Sequence, residues 1–211
     1  MENINLYISI AIMAPLLMML FVLRGRPQRV LGFAIAGIYV CLLSGEINAL
    51  IFKNIFIEAE FYTENISPVI EEILKAIPIF VYVFAFKPKR EFCIECAIAI
   101  GVGFAIMENV VYMVESAENI SLVFVLFRGF GAGMMHGMAT LLIGLGAEIV
   151  IRKKRLIIPG TLAALATASI YHSIYNTIIQ SQYQYFGILL PLLTFVPILI
   201  TLFKQYKIQN V

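Results

Sequence analysis

Apolar positions run along this chain in blocks of about twenty, and the polar positions gather between the blocks. The blocks cover roughly 4–23, 30–52, 66–86, 92–114, 121–151, 156–179 and 185–203. A helix rises about 1.5 Å per residue, so about 20 mostly apolar residues cross a hydrocarbon core roughly 30 Å thick. The pattern predicts an all-α, polytopic membrane protein with about seven transmembrane helices. Its connectors are short. Residues 1–211 are therefore read as a single integral membrane domain without a soluble appendage, repeat or low-complexity tract. Segment 1 follows Met1-Glu2-Asn3 and precedes Arg24, Arg26 and Arg29. A cleavable signal peptide carries its positive charge in front, so this segment is expected to be a retained span.

Composition agrees. The chain is 61% hydrophobic and 13% charged, with a mean hydropathy of +0.93. Soluble domains carry about a quarter charged residues, which excludes a soluble enzyme or a disordered tail. Fifteen basic and 13 acidic residues leave a net charge of +2, too balanced for a nucleic-acid partner. All the acids are glutamate. Three cysteines make no disulfide framework, and Cys93 and Cys96 lack the context of a redox pair. Basic clusters at Arg24/Arg26/Arg29, Lys87/Lys89/Arg90, Arg152–Arg155 and Lys204/Lys207 all fall on one side of a seven-span layout. The positive-inside rule makes that side cytoplasmic. The N-terminus is then outside and the C-terminus inside. Lys53, Glu2, Glu58, Glu60, Glu64, Glu115 and Glu118 fall on the outer side.

Other charges lie where they are expensive. A charged side chain at mid-bilayer costs about 2.5–3.5 kcal/mol on insertion scales and usually faces a bundle interior or wet cavity. Here the spans hold Glu46, Glu71, Glu72, Lys75, Glu108, Arg128 and the chain's two histidines, His136 and His172, while Glu95 and Glu148 near the cytoplasmic span ends are expected to be interfacial and paired with the basic loops. Counted from the outer span ends, Glu71, Glu108, Arg128 and His172 sit roughly 8–10 Å deep. His136 counts to roughly 22 Å, unless the over-long fifth span tilts, protrudes or breaks near its glycines. Helical spacing puts Phe104 with Glu108, and His172 with Asn176, on shared faces; Arg128 and His136 share one loosely.

Buried carboxylates beside a cation can be tuned to take a proton from water. Histidine can donate to a leaving amine, hold an oxyanion or bind a metal. Asparagine or a cation can stabilise an oxyanion. Two histidines with two or three glutamates also match a zinc ligand set with an open water position. This chemistry suits hydrolysis of a bond inside the membrane. A proton- or ion-coupled transporter uses the same residue types, but should carry polar groups through the full depth and perhaps inverted repeats. A scaffold that grips helices is the third reading. Gly129, Gly133 and Gly137 form a GxxxGxxxG ridge suited to close helix packing. Glu46 is expected to bond a neighbouring helix, and 53–65 to be a connector or a lid.

Four short motifs stand on four consecutive spans. They are Glu71-Glu72-Ile73-Leu74-Lys75 (EExxK), Gly103-Phe104 to Glu108-Asn109 (GFxxxEN), Arg128 with His136 after seven intervening residues, and His172 to Asn176 (HxxxN). In this order they resemble the PrsW family of intramembrane proteases, akin to the wider CAAX-protease and bacteriocin-processing superfamily. The likeness covers about 62–179. It implies an endopeptidase cutting a membrane-anchored protein, such as an anti-sigma factor, near the outer face. The resemblance makes Glu71, Glu72, Glu108, His136 and His172 the catalytic set, with Lys75, Arg128 and Asn176 in support. Glu72, Glu108, His136 and His172 are then the expected ligands of one divalent metal, zinc in first place, or of none if the mechanism is glutamic. Glu108 stands where the CAAX branch has histidine, and Asn176 where many PrsW relatives have aspartate. Short loops and the lack of an organelle signal fit a prokaryotic cell membrane.

Overall fold

The computed structural model describes residues 4–115 and 121–209. Among these there are seven long helices and no strand. They are α1 (Ile4–Val22), α2 (Arg26–Lys53), α3 (Ser67–Phe86), α4 (Arg90–Glu115), α5 (Leu122–Arg152), α6 (Ile157–Gln180) and α7 (Leu189–Gln209). Each falls within a few residues of an apolar block. Glu2 and Glu118, expected on the outer side, lie outside the described residues, as does the side chain of Lys207.

Among the described residues, five helices are long and apolar enough to cross a membrane: α2, α4, α5, α6 with its lead-in turn from Lys154, and Gln184–Thr201. Helix α3 is of spanning length but carries Glu71, Glu72 and Lys75 within 20 residues. Its buried positions are Pro68, Glu71, Glu72, Lys75, Ala76, Ile79 and Val83. Its exposed large residues are Val69, Ile73, Ile77, Val81 and Phe84, with Phe86 at the last position. Both sets recur every three or four residues, so each is one stripe of the helix. The charges face the protein and the apolar stripe faces out, the reverse of a soluble helix.

The local punctuation is legible. Gly25 takes φ 71° at the turn into α2, where Pro27 follows at the first helical turn. Helix α3 ends at Lys87 in the left-handed conformation (φ 44°), its N–H bonded to Val83 O; Pro88 cannot prolong a helix. The connector between α2 and α3 is not plain coil. Ala59–Phe61 form one helical turn and Tyr62–Ile66 a π-helical turn.

Helix α5 is the hub, packed against α4, α6, α3 and α7, while α2 packs along α4. It runs unbroken from Leu122 to Arg152, so its glycines do not interrupt it. Close approach occurs at Gly101, where a Cβ would stand 2.2 Å from His136 O, and at Gly103, 2.0 Å from Ala34 O. The expected ridge is corrected: nothing lies within 4 Å of a Cβ at Gly129 or Gly133, and only Gly137 meets a neighbour, Phe195. Gly129 is exposed and Gly133 half-buried, with open space beside both. The bundle interior at the Lys87/Arg152 end is apolar: Ala76, Ile79, Val83, Ile100, Ala139, Ile143 and Ala147 form one buried cluster.

Candidate active site

Helices α3, α4, α5 and α6 each contribute to one buried polar cluster. Lys75 is its centre and is 0% exposed. Its Nζ donates to Glu72 Oε1 at 2.8 Å and to His136 Nδ1 at 2.8 Å, and stands 3.6 Å from Glu71 Oε2. Beneath it lies the Phe104 ring, 3.7 Å from Nζ. Desolvating an ammonium is costly unless its donors are used, and three anionic or ring acceptors use these.

Hydrogen-bond roles follow from Lys75. An ammonium only donates, so His136 Nδ1 accepts, and its Nε2–H donates to Glu108 Oε2 at 2.9 Å. His172 Nδ1–H donates to Glu72 Oε1 at 2.9 Å. That leaves the lone pair on His172 Nε2, which faces Glu71 Oε2 at 3.9 Å. Ser67 Oγ donates to Glu71 Oε1 at 2.8 Å. Glu71 Oε2 is buried and has no hydrogen-bond partner, and neither has Glu72 Oε2. A separation of 3.9 Å is too long for a hydrogen bond, and it lets one oxygen bond to both atoms. The two imidazoles meet edge to face, with ring centroids 4.8 Å apart.

Glu108 has a second partner, since Arg128 Nη2 is 2.8 Å from its Oε2. Arg128 and His136, two turns apart on α5, thus reach the same carboxylate oxygen. A cavity of about 390 Å³ opens beside the cluster. Glu71, Glu108, Arg128 and Asn176 line it, with Tyr112, Phe127 and Tyr175 among its apolar walls. The α2–α3 connector stands at its rim. There Thr63 Oγ1 donates to Gln180 Oε1 at 3.0 Å, and Asn176 Nδ2 donates to Thr63 O at 3.0 Å.

The structure therefore brings Glu71, Glu72, Lys75, Glu108, Arg128, His136 and His172 together. Asn176 lines the cavity but spends its amide on the connector. His136 joins despite its depth because Lys75 reaches across from α3. Glu46 is exposed and makes no hydrogen bond or ion pair among the described residues. The cysteines are free and buried. Sequence reasoning passed over Ser67 and Tyr112, four residues before Glu71 and four after Glu108; that helical interval was the signal available. Tyr112 stacks under Arg128, whose guanidinium carbon is 3.8 Å from the ring centre.

The donor set suits a divalent ion. Glu71, His136 and His172 each bring a candidate ligating atom within 4.8 Å of the others; His172 Nε2 and two carboxylate oxygens are unspent, while His136 Nδ1 accepts from Lys75 and ligates only once that ammonium moves away. Carboxylate and imidazole are zinc's ordinary ligands in open, hydrolytic sites. Here Glu72 and Glu108 stand behind the imidazoles as hydrogen-bond acceptors, the arrangement that orients ligating histidines.

Comparison with curated proteins and with solved structures finds no match. A family model described as the PrsW family intramembrane metalloprotease matches residues 26–202. That span includes all four motif helices and the connector over the cavity. The chain belongs to the PrsW family of intramembrane metalloproteases, and its buried glutamate–histidine cluster lies within a multi-pass membrane protease.

Proposed function

We propose that this protease cleaves a membrane-anchored protein near the outer face of a prokaryotic cell membrane, with Glu71 handling the proton of the attacking water. The observation that carries this is the buried, unpartnered Oε2 of Glu71, a residue that lines the cavity, 3.9 Å from the free Nε2 of His172. In this reading all seven helices cross the bilayer as one domain. The cavity end, with Glu58, Glu60 and Glu64, faces outward, and the end with Arg26, Lys87 and Arg152 is cytoplasmic. Water enters from outside and the substrate enters between helices.

Water held between Glu71 Oε2 and His172 Nε2 gives a proton to Glu71 as its oxygen attacks the peptide carbonyl carbon. Glu71 returns that proton to the leaving nitrogen as the C–N bond breaks, so atoms and charge balance. Glu72 holds His172 in the tautomer that presents Nε2. Ser67 holds one oxygen of Glu71 so that the other points inward. Lys75 and Arg128 offset the charge of the three glutamates, and Glu108 orients His136. A divalent ion would be held by Glu71 and His172, joined by His136 once Lys75 leaves its Nδ1, and would supply Lewis acidity and an acidified water.

The transporter reading finds less support. Beyond Lys75 the bundle is filled by the apolar cluster around Ile79, Ile100 and Ile143, which holds no carboxylate or imidazole among its described members for a proton path to continue on.

Two measurements test the proposal. Newly formed protein termini are compared in membranes of cells carrying the wild type and the Glu71→Gln, Glu72→Gln and His172→Ala variants. Termini present only with the wild type, from a single-span protein and mapping near its outer boundary, are expected; identical sets in all strains sink the assignment. Metal content of the pure protein, with activity before and after chelation, separates the metal route from the glutamate route.

A further inference from the structure

Arg128 carries an anomaly that the cluster does not use. Its side chain is 10% exposed, and Nε and Nη2 are buried with no hydrogen-bond partner. Nη2 lies 2.8 Å from Glu108 Oε2, but out of line for a hydrogen bond. Tyr112 covers the face of the guanidinium. Stacking uses the π face and Nη2 is paired with Glu108 by charge, so the in-plane edge formed by Nε and Nη2 keeps its N–H directions without an acceptor. Arg128 also lines the cavity shared with Glu71 and Asn176. A buried N–H without a partner costs free energy, and here two of them form the fork that grips paired acceptor oxygens.

We propose that this edge of Arg128 is a substrate-binding element that takes main-chain carbonyl oxygen from the extended peptide segment beside the scissile bond. This rests on the protease reading above and adds the group of the substrate that is held. Charge selects the ligand class. The chain's own groups at the site are Glu71, Glu72 and Glu108 against Lys75 and Arg128, with the histidines neutral in their hydrogen-bond roles. A substrate carboxylate would add a further negative charge to an existing excess. A peptide carbonyl is a strong acceptor that adds none. Glu108 and Tyr112 then act as positioning residues, fixing the guanidinium from one end and from its face.

The test needs no turnover, so its failure is distinct from failure of the protease reading. The full chain in detergent micelles is titrated with N-acetyl-trileucine amide, with N-acetyl-Leu-Glu-Leu amide, and with four analogues of the first in which each of its carbonyls in turn is a thioamide, a weaker acceptor. Ligand-dependent thermal stabilisation reads Kd. The neutral probe is expected to bind the wild type, and one thioamide position to weaken binding several-fold. In Arg128→Lys, which keeps the charge beside Glu108 but loses the fork, Kd should rise roughly ten- to a hundred-fold. The thioamide penalty should vanish with it. On a cleaved substrate the same variant should raise KM more than it lowers kcat. The proposal is overturned by absent binding of the neutral probe or tighter binding of the acidic one. It is also overturned by equal binding in a folded Arg128→Lys protein. Should that variant not fold, the wild-type thioamide series decides alone: no sensitive position refutes a gripped carbonyl.

Discussion

Replacing Lys75 with methionine would strip the cluster of its central cation while keeping most of the side chain's length. Lys75 Nζ lies 2.8 Å from Glu72 Oε1 and 3.6 Å from Glu71 Oε2. At an effective dielectric near 20, attraction over those distances is about 6 and about 5 kcal/mol. Most of that offsets the desolvation of three buried charges, so it is not the net worth of the lysine. The variant, however, leaves both carboxylates buried without their counter-ion. Breaking a buried pair from one side costs about 3–5 kcal/mol, and the contact with the Phe104 ring adds about 0.5–2 kcal/mol. The expected loss for Lys75→Met is therefore about 3.5–7 kcal/mol, with cleavage abolished. Adding Glu72→Gln removes the stranded charge nearest the gap and should recover a large part of the stability without recovering activity. Equilibrium unfolding in mixed micelles, followed by circular dichroism as the denaturing detergent fraction rises, reads both. A single variant within about 1 kcal/mol of the wild type would refute the reasoning, as would a double variant less stable than the single.

Gly101→Ala should destabilise the bundle by more than about 2 kcal/mol, because its Cβ would meet backbone at His136 O, 2.2 Å away. Gly133→Ala should leave stability unchanged or raise it by up to about 1 kcal/mol through helix propensity, since nothing lies within 4 Å; the same unfolding assay ranks the two. Ser67→Ala frees one oxygen of Glu71 and should lower kcat roughly tenfold with KM little changed, about one charge-assisted hydrogen bond's worth; Ser67→Thr should restore it. A reducible cross-link between Thr63→Cys and Gln180→Cys through a short bis-methanethiosulfonate, which spans the length of the lost glutamine side chain where the two residues now touch, should hold the connector on α6 and slow cleavage. Activity should return on reduction, and a cross-linked enzyme as fast as the reduced one would show that the connector need not move.

Membrane character and the helix positions were legible because period and composition are local properties: a block of twenty apolar residues is one wherever the chain goes. The motif residues were legible for a related reason. Charges within apolar blocks are costly enough that few are present, and those few stood at helical intervals. The inward face of α3 also followed from its sequence, with Glu71, Glu72 and Lys75 on one stripe and Ile73, Ile77 and Val81 on the other.

What no local rule could supply was which atoms meet. Depth arithmetic set His136 apart from the other polar groups, yet Lys75 reaches it from another helix, and its two ring nitrogens are spent on Lys75 and Glu108. Glu71 and Glu72 are neighbours of like chemistry. Only the packing of α6 against α3 gives Glu72 to His172 Nδ1 and leaves an oxygen of Glu71 free. Small-residue spacing pointed to Gly129 and Gly133 as packing positions, whereas the close contacts formed at Gly101 and Gly103. Spacing along one helix fixes a shared face. Which neighbour that face meets is set by how all the helices pack at once, and so the division of labour among identical glutamates is decided by tertiary structure alone.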